Sequence, residues 1–259
     1  FTLEEWGRLV SISSSLLSGV FIFLIVKKHA SFEASFFAFA FYTLLPFNIY
    51  FGRVILPDPM AIVSLLAGIY FFDNWLSKKN FQFSIFNFQF SLAVIFISIA
   101  LLIKPFTIFF ILPIVFLSYT KFGWGMTKKW QLWVFAFLSI LPFILWRIWM
   151  SQYPEGIPAN QWLFTEGNIR FKGSFFYSIF ADRIGRLILG YWATALLILG
   201  FLRKINKNSL FLFSFFVSSL LYLFVIAKGN VNHDYYQILV VPSLVILIGL
   251  GVEFLLQNA

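Results

Sequence analysis

The chain contains repeated runs of about twenty apolar residues, and this feature restricts its fold more than any other. A bilayer hydrocarbon core about 30 Å thick is crossed by roughly 20 helical residues. Only 11% of the residues are charged, so the chain has too little polar surface to cover a soluble globule. We therefore expect a polytopic membrane protein.

The apolar runs predict an all-α transmembrane helix bundle that forms a single domain over residues 1–259. A transmembrane β-barrel would alternate polar and apolar residues, and residues 196–199 and 245–248 show no such alternation. About nine spans are predicted, at residues 8–27, 31–51, 59–77, 90–103, 106–120, 130–149, 187–202, 209–227 and 237–256.

Basic residues in alternate loops predict the orientation of the bundle. By the positive-inside rule, short loops rich in lysine and arginine are cytoplasmic. The basic residues in the alternate loops of this chain are Lys27, Lys28, Lys78, Lys79, Lys121, Lys128, Lys129, Arg203, Lys204 and Lys207. Nearly every other reactive side chain is then expected on the outer side. The first span would run inward, so we expect at least one further span and an outer loop before Phe1.

Two segments between spans have unusual composition. Residues 150–186 are less apolar and contain several glycines and prolines together with many aromatic residues. We expect a folded outer cap there, with residues 174–186 as an interfacial helix, because long loops are usually functional or disordered and these aromatics argue against disorder. Residues 80–91 repeat the unit NFQFSIF almost twice, which is typical of a biased segment at the membrane interface.

Two charged residues interrupt apolar sequence where the chain leaves the membrane. Asp58 stands before Pro59, which predicts that its carboxylate lies just ahead of a span beginning near Met60. It could cap that helix or act in a site. Lys104 lies between two apolar runs that Pro105 separates. An ammonium there either faces a polar cavity or an anion, or extends to the headgroups.

The stretch GNVNHDYYQILVVP, residues 229–242, places polar and aromatic residues between two apolar runs. We expect His233, Tyr235 and Tyr236 to lie in the same outer layer as Arg53, Asp58 and Lys104. Histidine and tyrosine can donate hydrogen bonds to phosphate or sugar oxygens, and lysine neutralises phosphate. The layer therefore predicts a site for an anionic, lipid-linked substrate. Tyrosines that only mark the membrane interface are the alternative.

Five local patterns resemble the GT-C class of glycosyltransferases that use polyprenyl-phosphate sugars. The nearest types are the bacterial relatives of protein O-mannosyltransferases and the aminoarabinose transferases of lipid A. The patterns are EEWGRLVSISSSLLSG, FNIYFGRVILPDPMAIVSLLAGIYFF, LLIKPFTIFFILP, LPFILWRIWMSQYPEGIP and NHDYYQILVVPSLVILIG. The resemblance implies a multi-pass protein of a prokaryotic plasma (inner) membrane with its active site on the outer face.

The resemblance also implies the reaction and its residues. A hexosyl, mannosyl or aminosugar group would pass with inversion from a polyprenyl-phosphate donor in the membrane lipid to a protein or a lipid-linked glycan. The main base would precede Phe1, and Asp58 would be an auxiliary carboxylate. The remaining substrate-binding candidates are Lys104 with Arg53 or Lys228 for phosphate, His233, Tyr235 and Tyr236 for phosphate or sugar, and Glu5 and Arg8 as weaker candidates.

Other functions remain open at this point. A lipid-linked sugar flippase or a glycan ligase would use similar phosphate contacts, whereas a secondary transporter usually has related halves and charges near the midplane. No His, Asp and Glu cluster shows metal-ligand spacing, so no metal site and no cofactor is predicted within these residues, and any requirement for a divalent metal stays open. The excess of basic residues follows from topology and does not predict nucleic acid binding.

Overall fold

The protein is a bundle of α-helices, as a computed structural model shows for residues 2–77, 87–153, 155, 162–203 and 207–258. No β-strand occurs in these described ranges, which confirms the predicted all-α class. The helices are α1 (Leu3–His29), α2 (Phe32–Leu44), α3 (Pro46–Gly52), α4 (Asp58–Leu76), α5 (Phe88–Ile103), α6 (Ile111–Phe122), α7 (Trp130–Met150), α8 (Trp162–Thr165), α9 (Gly173–Phe176), α10 (Trp192–Leu202), α11 (Lys207–Val225), α12 (Ala227–Asn232) and α13 (Val241–Asn258).

Shorter helical segments connect these elements. They are the 3-10 helices Pro105–Phe110, Gly123–Lys128, Glu166–Phe171 and Asp234–Leu239, and the π-helix Tyr177–Ile188. Most of the repeat at residues 80–91 lies outside the described residues, and its last part begins α5, where the Asn87 side chain accepts a hydrogen bond from the Gln89 N–H.

Local sequence explains where the first helices begin. At α1, the Thr2 hydroxyl accepts from the Glu5 N–H and the Glu5 carboxylate accepts from the Thr2 N–H, which forms a capping box. Helix α4 begins at Asp58 rather than near Met60. Pro59 is compatible with this earlier start because first-turn N–H groups have no intrahelical acceptor, so a proline there loses no hydrogen bond.

Every predicted span coincides with a helical region. Among the described residues, five helices are long and apolar enough to cross a membrane, and two bent pairs raise this number to seven. Two shorter apolar helices, Phe88–Ile103 and Ser209–Val225, occupy the remaining predicted spans. The chain is thus a multi-pass membrane protein, and the full number of nine spans stays a prediction.

The chain reverses direction at Lys104. The Phe90 ring near the start of α5 lies 5.0 Å from the Trp75 ring near the end of α4, whereas Lys104 contacts Asp58 at the start of α4. Helix α6 then returns, since the Lys121 ammonium donates to the Leu76 carbonyl. Pro105 therefore separates two antiparallel helices, and Lys104 lies at the turn between them.

Helix α13 occupies the centre of the bundle, because its residues from Val241 to Gly251 are buried without interruption. It packs between α2 and α10, and its backbone is in van der Waals contact with the backbones of both helices. A Cβ at Gly249 would lie 2.3 Å from the Ala34 carbonyl oxygen, and one at Gly251 would lie 2.0 Å from the Leu196 carbonyl oxygen. Small residues permit such close helix pairs inside membranes.

The described part of the long loop is helical. Helix α8 packs on α12, and the π-helix Tyr177–Ile188 follows α9. This helical pair meets α10 at an angle of 112°. The backbone turns there at Gly190 and Tyr191, which both have positive φ values of 55° and 62°. Whether this cap rests on the outer membrane surface stays a prediction.

Charged side chains gather at both ends of the bundle. At one end, Asp58 meets Lys104; at the other, Lys28 pairs with Asp73 at 2.7 Å and Arg203 with Glu253 at 2.7 Å. His29 also contacts Asp73, at 2.8 Å. The expectation that nearly every reactive side chain lies at one end is therefore wrong. Apolar sequence hid Asp73 and Glu253, which stand near the ends of predicted spans, whereas His29 lies between two predicted spans and ends α1.

Candidate functional site: a buried charge pair under an aromatic wall

Asp58 and Lys104 form an ion pair between the start of α4 and the end of α5. Asp58 is 3% exposed and Lys104 is 8% exposed. Pro105 ends α5 at Lys104, whose backbone is extended, and the Lys104 carbonyl accepts from the Thr107 hydroxyl at 2.9 Å. The turn thus points a lysine toward the first turn of α4, where the carboxylate lies.

The ion pair bears on the interpretation of Asp58 as a helix cap, whereas a role of Asp58 in a site stays a prediction. The residue before α4 is Pro57, which makes no side-chain capping hydrogen bond, and the Asp58 carboxylate accepts from the Lys104 ammonium. Asp58 is therefore half of a charge pair, although its position in the first turn also suits the helix dipole. Lys104 is likewise not a lysine that extends to the headgroups, since its side chain is buried.

Tyrosines from the segment before α13 cover the ammonium. The Lys104 Nζ lies 4.7 Å from the centre of the Tyr236 ring and 5.7 Å from that of Tyr235. Ring faces attract a cation, and the attraction grows when water is excluded. The predicted meeting of Asp58, Lys104, Tyr235 and Tyr236 is thus present in the structure, although their binding role stays a prediction.

Tyr235 and Tyr236 form an aromatic wall over the charge pair, and His233 extends this wall away from the pair. Its ring centre lies 5.4 Å from those of Tyr235 and Tyr236 and 5.8 Å from that of Trp162 in the cap. Its side chain makes no hydrogen bond to another described residue, so its ring nitrogens have no protein partner there. Nothing in the spacing of the sequence links Trp162 to His233, so the sequence alone did not predict this contact.

Tyr236 is held as a neutral hydrogen-bond donor. Burial, followed by the proximity of Tyr235 and Asp58, raises the pKa of Tyr236 to about 12. The Tyr222 hydroxyl donates to the Tyr236 carbonyl at 3.2 Å, and Phe106 lies 6.1 Å from both rings. At neutral pH the Tyr236 hydroxyl therefore keeps the proton that a phosphate or sugar oxygen would accept.

Three polar contacts hold the segment that carries Tyr235 and Tyr236. The buried Gln237 side chain donates to the Asn230 carbonyl at 2.8 Å. Arg183 of the π-helix pairs with Asp234 at 2.8 Å and donates to the Val231 carbonyl at 3.0 Å. The cap is thereby attached to the aromatic wall. No spacing in the sequence indicated the role of Arg183, which lies 51 residues from Asp234 along the chain.

The other predicted residues lie at the same end but outside the charge pair. Arg8 donates to the Arg53 carbonyl at 3.1 Å and pairs with Glu4 at 2.8 Å. Arg53 is exposed, Lys228 is half-buried beside the wall, and Glu5 is part of the capping box of α1. The structure groups Arg8 with Arg53, and no described contact joins either to Lys104.

An apolar groove of about 270 Å³ lies between α4, α5, α6 and α7. It extends from Thr107, whose hydroxyl donates to the Lys104 carbonyl, to Trp133 near the start of α7, and neither Asp58 nor Lys104 lines it. Its lining is almost wholly hydrocarbon, so it suits an alkyl or isoprenoid chain. Within the described ranges, no group of three or more His, Asp and Glu side chains is arranged to hold a metal ion.

Comparison with known families assigns the chain. The family model described as dolichyl-phosphate-mannose-protein mannosyltransferase matches residues 4–148, which is more than half of the chain. The chain belongs to this mannosyltransferase family. Neither the curated proteins nor the solved structures gave a significant match.

Membership of the mannosyltransferase family confirms the resemblance read from the sequence. The protein is a membrane glycosyltransferase whose sugar donor is carried on a polyprenyl phosphate. The matched range contains Asp58 and Lys104, whereas His233, Tyr235 and Tyr236 lie beyond it. The family match therefore covers the charge pair of the candidate site, whereas the aromatic residues are assigned to the site from the fold.

Proposed function

We propose that this glycosyltransferase moves a hexosyl, mannosyl or aminosugar group from a polyprenyl phosphate to a hydroxyl group at the outer face of the plasma membrane. The acceptor is a protein or a lipid-linked glycan. The observation that carries the proposal is the buried Asp58–Lys104 pair, which lies under Tyr235 and Tyr236. An apolar groove lined by Thr107, three residues after Lys104, supports it.

Each part of the donor has a matching feature in this arrangement. The ammonium of Lys104 neutralises the phosphate, and the hydroxyl of Tyr236 and the imidazole of His233 donate to phosphate or sugar oxygens. The groove beginning at Thr107 takes the first part of the polyprenyl chain. Arg53, Lys228 and Arg8 supply further positive charge at the mouth, and Glu5 lies at its edge.

The transfer inverts the anomeric carbon. The acceptor hydroxyl oxygen forms a bond to that carbon while the bond from carbon to the phosphate oxygen breaks. The bonding electron pair leaves with polyprenyl phosphate, and the hydroxyl proton passes to a carboxylate. Asp58 assists as an auxiliary carboxylate that orients the acceptor. Stabilisation of the departing phosphate by Lys104 is the larger contribution, because it acts where charge develops.

Transfer of radiolabelled sugar from polyprenyl-phosphate donors by the intact protein in vesicles tests the proposal. We expect Lys104→Ala to lower transfer by roughly a hundredfold or more. We expect His233→Ala to lower it while expression and detergent melting stay close to wild type. Lys128→Ala removes a lysine at the opposite end of the bundle and should leave transfer unchanged.

Two results would contradict this function. Movement of a lipid-linked sugar across the vesicle membrane without transfer would indicate a flippase or another transporter. Transfer only of glycans carried on a polyprenyl diphosphate would indicate a ligase. If His233→Ala instead lost expression, His233 would be a packing residue and would leave the proposed site.

A further inference from the structure

Asp58 and Lys104 neutralise each other when no substrate is present. Both side chains are buried, and in the described part of the chain neither contacts another charged side chain. The groups around the ammonium are the rings of Tyr235 and Tyr236, which carry no positive charge. The ammonium therefore has one anionic partner, and that partner is part of the protein.

We propose that Asp58 occupies the place on Lys104 that the donor phosphate takes, so that donor binding and release of the Asp58 carboxylate are one exchange. The inference rests on the proposed role of Lys104 as the phosphate ligand. Asp58 is then a positioning residue whose position reports whether the donor is bound.

Charge balance at the buried pair favours such an exchange, because Lys104 is the cation that contacts Asp58. One ammonium neutralises one negative charge, and a second anion close to the first is strongly disfavoured where water is largely excluded. Arg8 is engaged with Glu4 and with the Arg53 carbonyl, so it does not contact the buried pair. An arriving phosphate therefore competes with the Asp58 carboxylate for Lys104.

The displaced carboxylate has a second position available in the fold. Asp58 is the first residue of α4, where unpaired backbone N–H groups and the helix dipole stabilise a negative charge. From there it can accept a hydrogen bond from the acceptor hydroxyl. The carboxylate thus becomes available only after the donor is bound, which orders donor before acceptor and keeps the empty site from activating water.

Binding of a short lipid phosphate to the detergent-purified intact protein tests the exchange. Farnesyl phosphate is the probe, and farnesol is its uncharged counterpart. Asp58→Asn keeps the size of the side chain and an oxygen for Lys104 but removes the competing charge. We expect it to bind farnesyl phosphate roughly tenfold more tightly than wild type, or better, with unchanged affinity for farnesol and slower sugar transfer.

Glu166→Gln is the matched control, since it removes an exposed acid from the cap at the same end of the molecule. It should leave the affinity for farnesyl phosphate unchanged. Retained farnesol binding shows that a variant is folded. If Asp58→Asn does not bind farnesol, Asp58→Ser provides a second neutral variant. A structural role for Asp58 would not produce a gain in affinity.

The possible outcomes separate the exchange from the proposed function. Equal or weaker binding of farnesyl phosphate by folded neutral variants would overturn the exchange and leave the glycosyltransferase proposal intact. Equal tightening in Glu166→Gln would also overturn it, because the effect would then be general charge repulsion. Failure of both wild type and Asp58→Asn to bind farnesyl phosphate would instead contradict the donor site itself.

Discussion

At the scale of single residues, the structure turns two isolated charges into one neutral unit. Asp58 and Lys104 stand 46 positions apart and each is surrounded by apolar sequence. Either charge alone would be costly inside the bundle, and together they largely cancel. The sequence indicated both residues, because Pro59 and Pro105 mark the turns that carry them. It did not indicate that each is the partner of the other.

Because the two charges compensate each other, removing either Asp58 or Lys104 should lower the free energy of unfolding substantially. We expect Asp58→Ala and Lys104→Ala each to lower the free energy of unfolding by about 3–5 kcal/mol, because a buried charge is left uncompensated. The double variant should lose less than the sum of the two single losses. Reversible denaturant unfolding in detergent measures this, and additive losses would show that the charges do not interact.

An exposed pair offers the comparison. Arg8 and Glu4 form an ion pair at 2.8 Å, with side chains 47% and 66% exposed. Removing Glu4 should therefore cost only about 0–1 kcal/mol. A cost similar to that for Asp58→Ala would mean that burial does not govern the stability of these pairs.

At the scale of elements, close packing at a glycine positions the aromatic wall. Gly229 in α12 lies against the segment Asp234–Leu239, and a Cβ there would meet the Tyr236 ring at 2.7 Å and the Leu163 side chain at 3.0 Å. Helix α12 can approach so closely only because it has no side chain at this position. The stretch around His233 was predicted from its composition, but this contact depends on how α12 folds back.

Gly229→Ala should therefore push the Tyr236 ring away from Lys104. We expect sugar transfer to fall roughly ten- to hundredfold, because a displacement of about 1 Å at a site has effects of that size. Gly125→Ala is the control, since no atom lies within 4 Å of a Cβ there. Normal transfer by Gly229→Ala would show that the position of the ring is not important.

The contact between the cap and the wall makes a second prediction for elements. Arg183→Gln removes the pair with Asp234, so we expect the opening free energy of residues 227–239 to fall by about 1–2 kcal/mol. Hydrogen exchange of that segment measures the change. Arg186→Gln, on the same π-helix, removes a pair with Asp182 at 2.6 Å, leaves the pair of Arg183 with Asp234 in place and should leave exchange there unaltered. Equal hydrogen-exchange protection of residues 227–239 in wild type, Arg183→Gln and Arg186→Gln would show that the cap does not stabilise the wall.

At the scale of the whole molecule, alternating helices separate the charged groups into two layers. The pair of Asp58 and Lys104 marks one layer, whereas Lys28 with Asp73 and Arg203 with Glu253 mark the other. Lys28 and Lys121, described residues of the lysine-rich loops, lie in the second layer, which the positive-inside rule places in the cytoplasm. The candidate site would then face outward.

The absence of cysteine from the chain makes this orientation easy to test. Phe171 in the cap is 81% exposed and Trp124 near the lysine-rich layer is 79% exposed. A membrane-impermeant maleimide added to intact cells should label Phe171→Cys, and should label Trp124→Cys only after the membrane is permeabilised. The reverse pattern would place the site on the cytoplasmic face.

The amino-acid sequence by itself determined the class of the protein and indicated residues of the candidate site. The helical class follows from hydrophobic length, because an apolar run must cross the bilayer as a helix to satisfy its backbone. The residue types of the outer layer, including Asp58, Lys104, His233 and Tyr236, could be selected because each is costly or unusual where it stands.

Only the tertiary structure decided which of these residues meet. The pairing of Asp58 with Lys104, the approach of Tyr236 to the ammonium and the contact of Trp162 with His233 join positions that are far apart in the chain. Their distances follow from the packing of α4 on α5 and of α8 on α12, and Gly229 lets α12 approach the Tyr236 ring. Such contacts depend on the shapes of neighbouring helices, and hydrophobic pattern and spacing carry no information about those shapes.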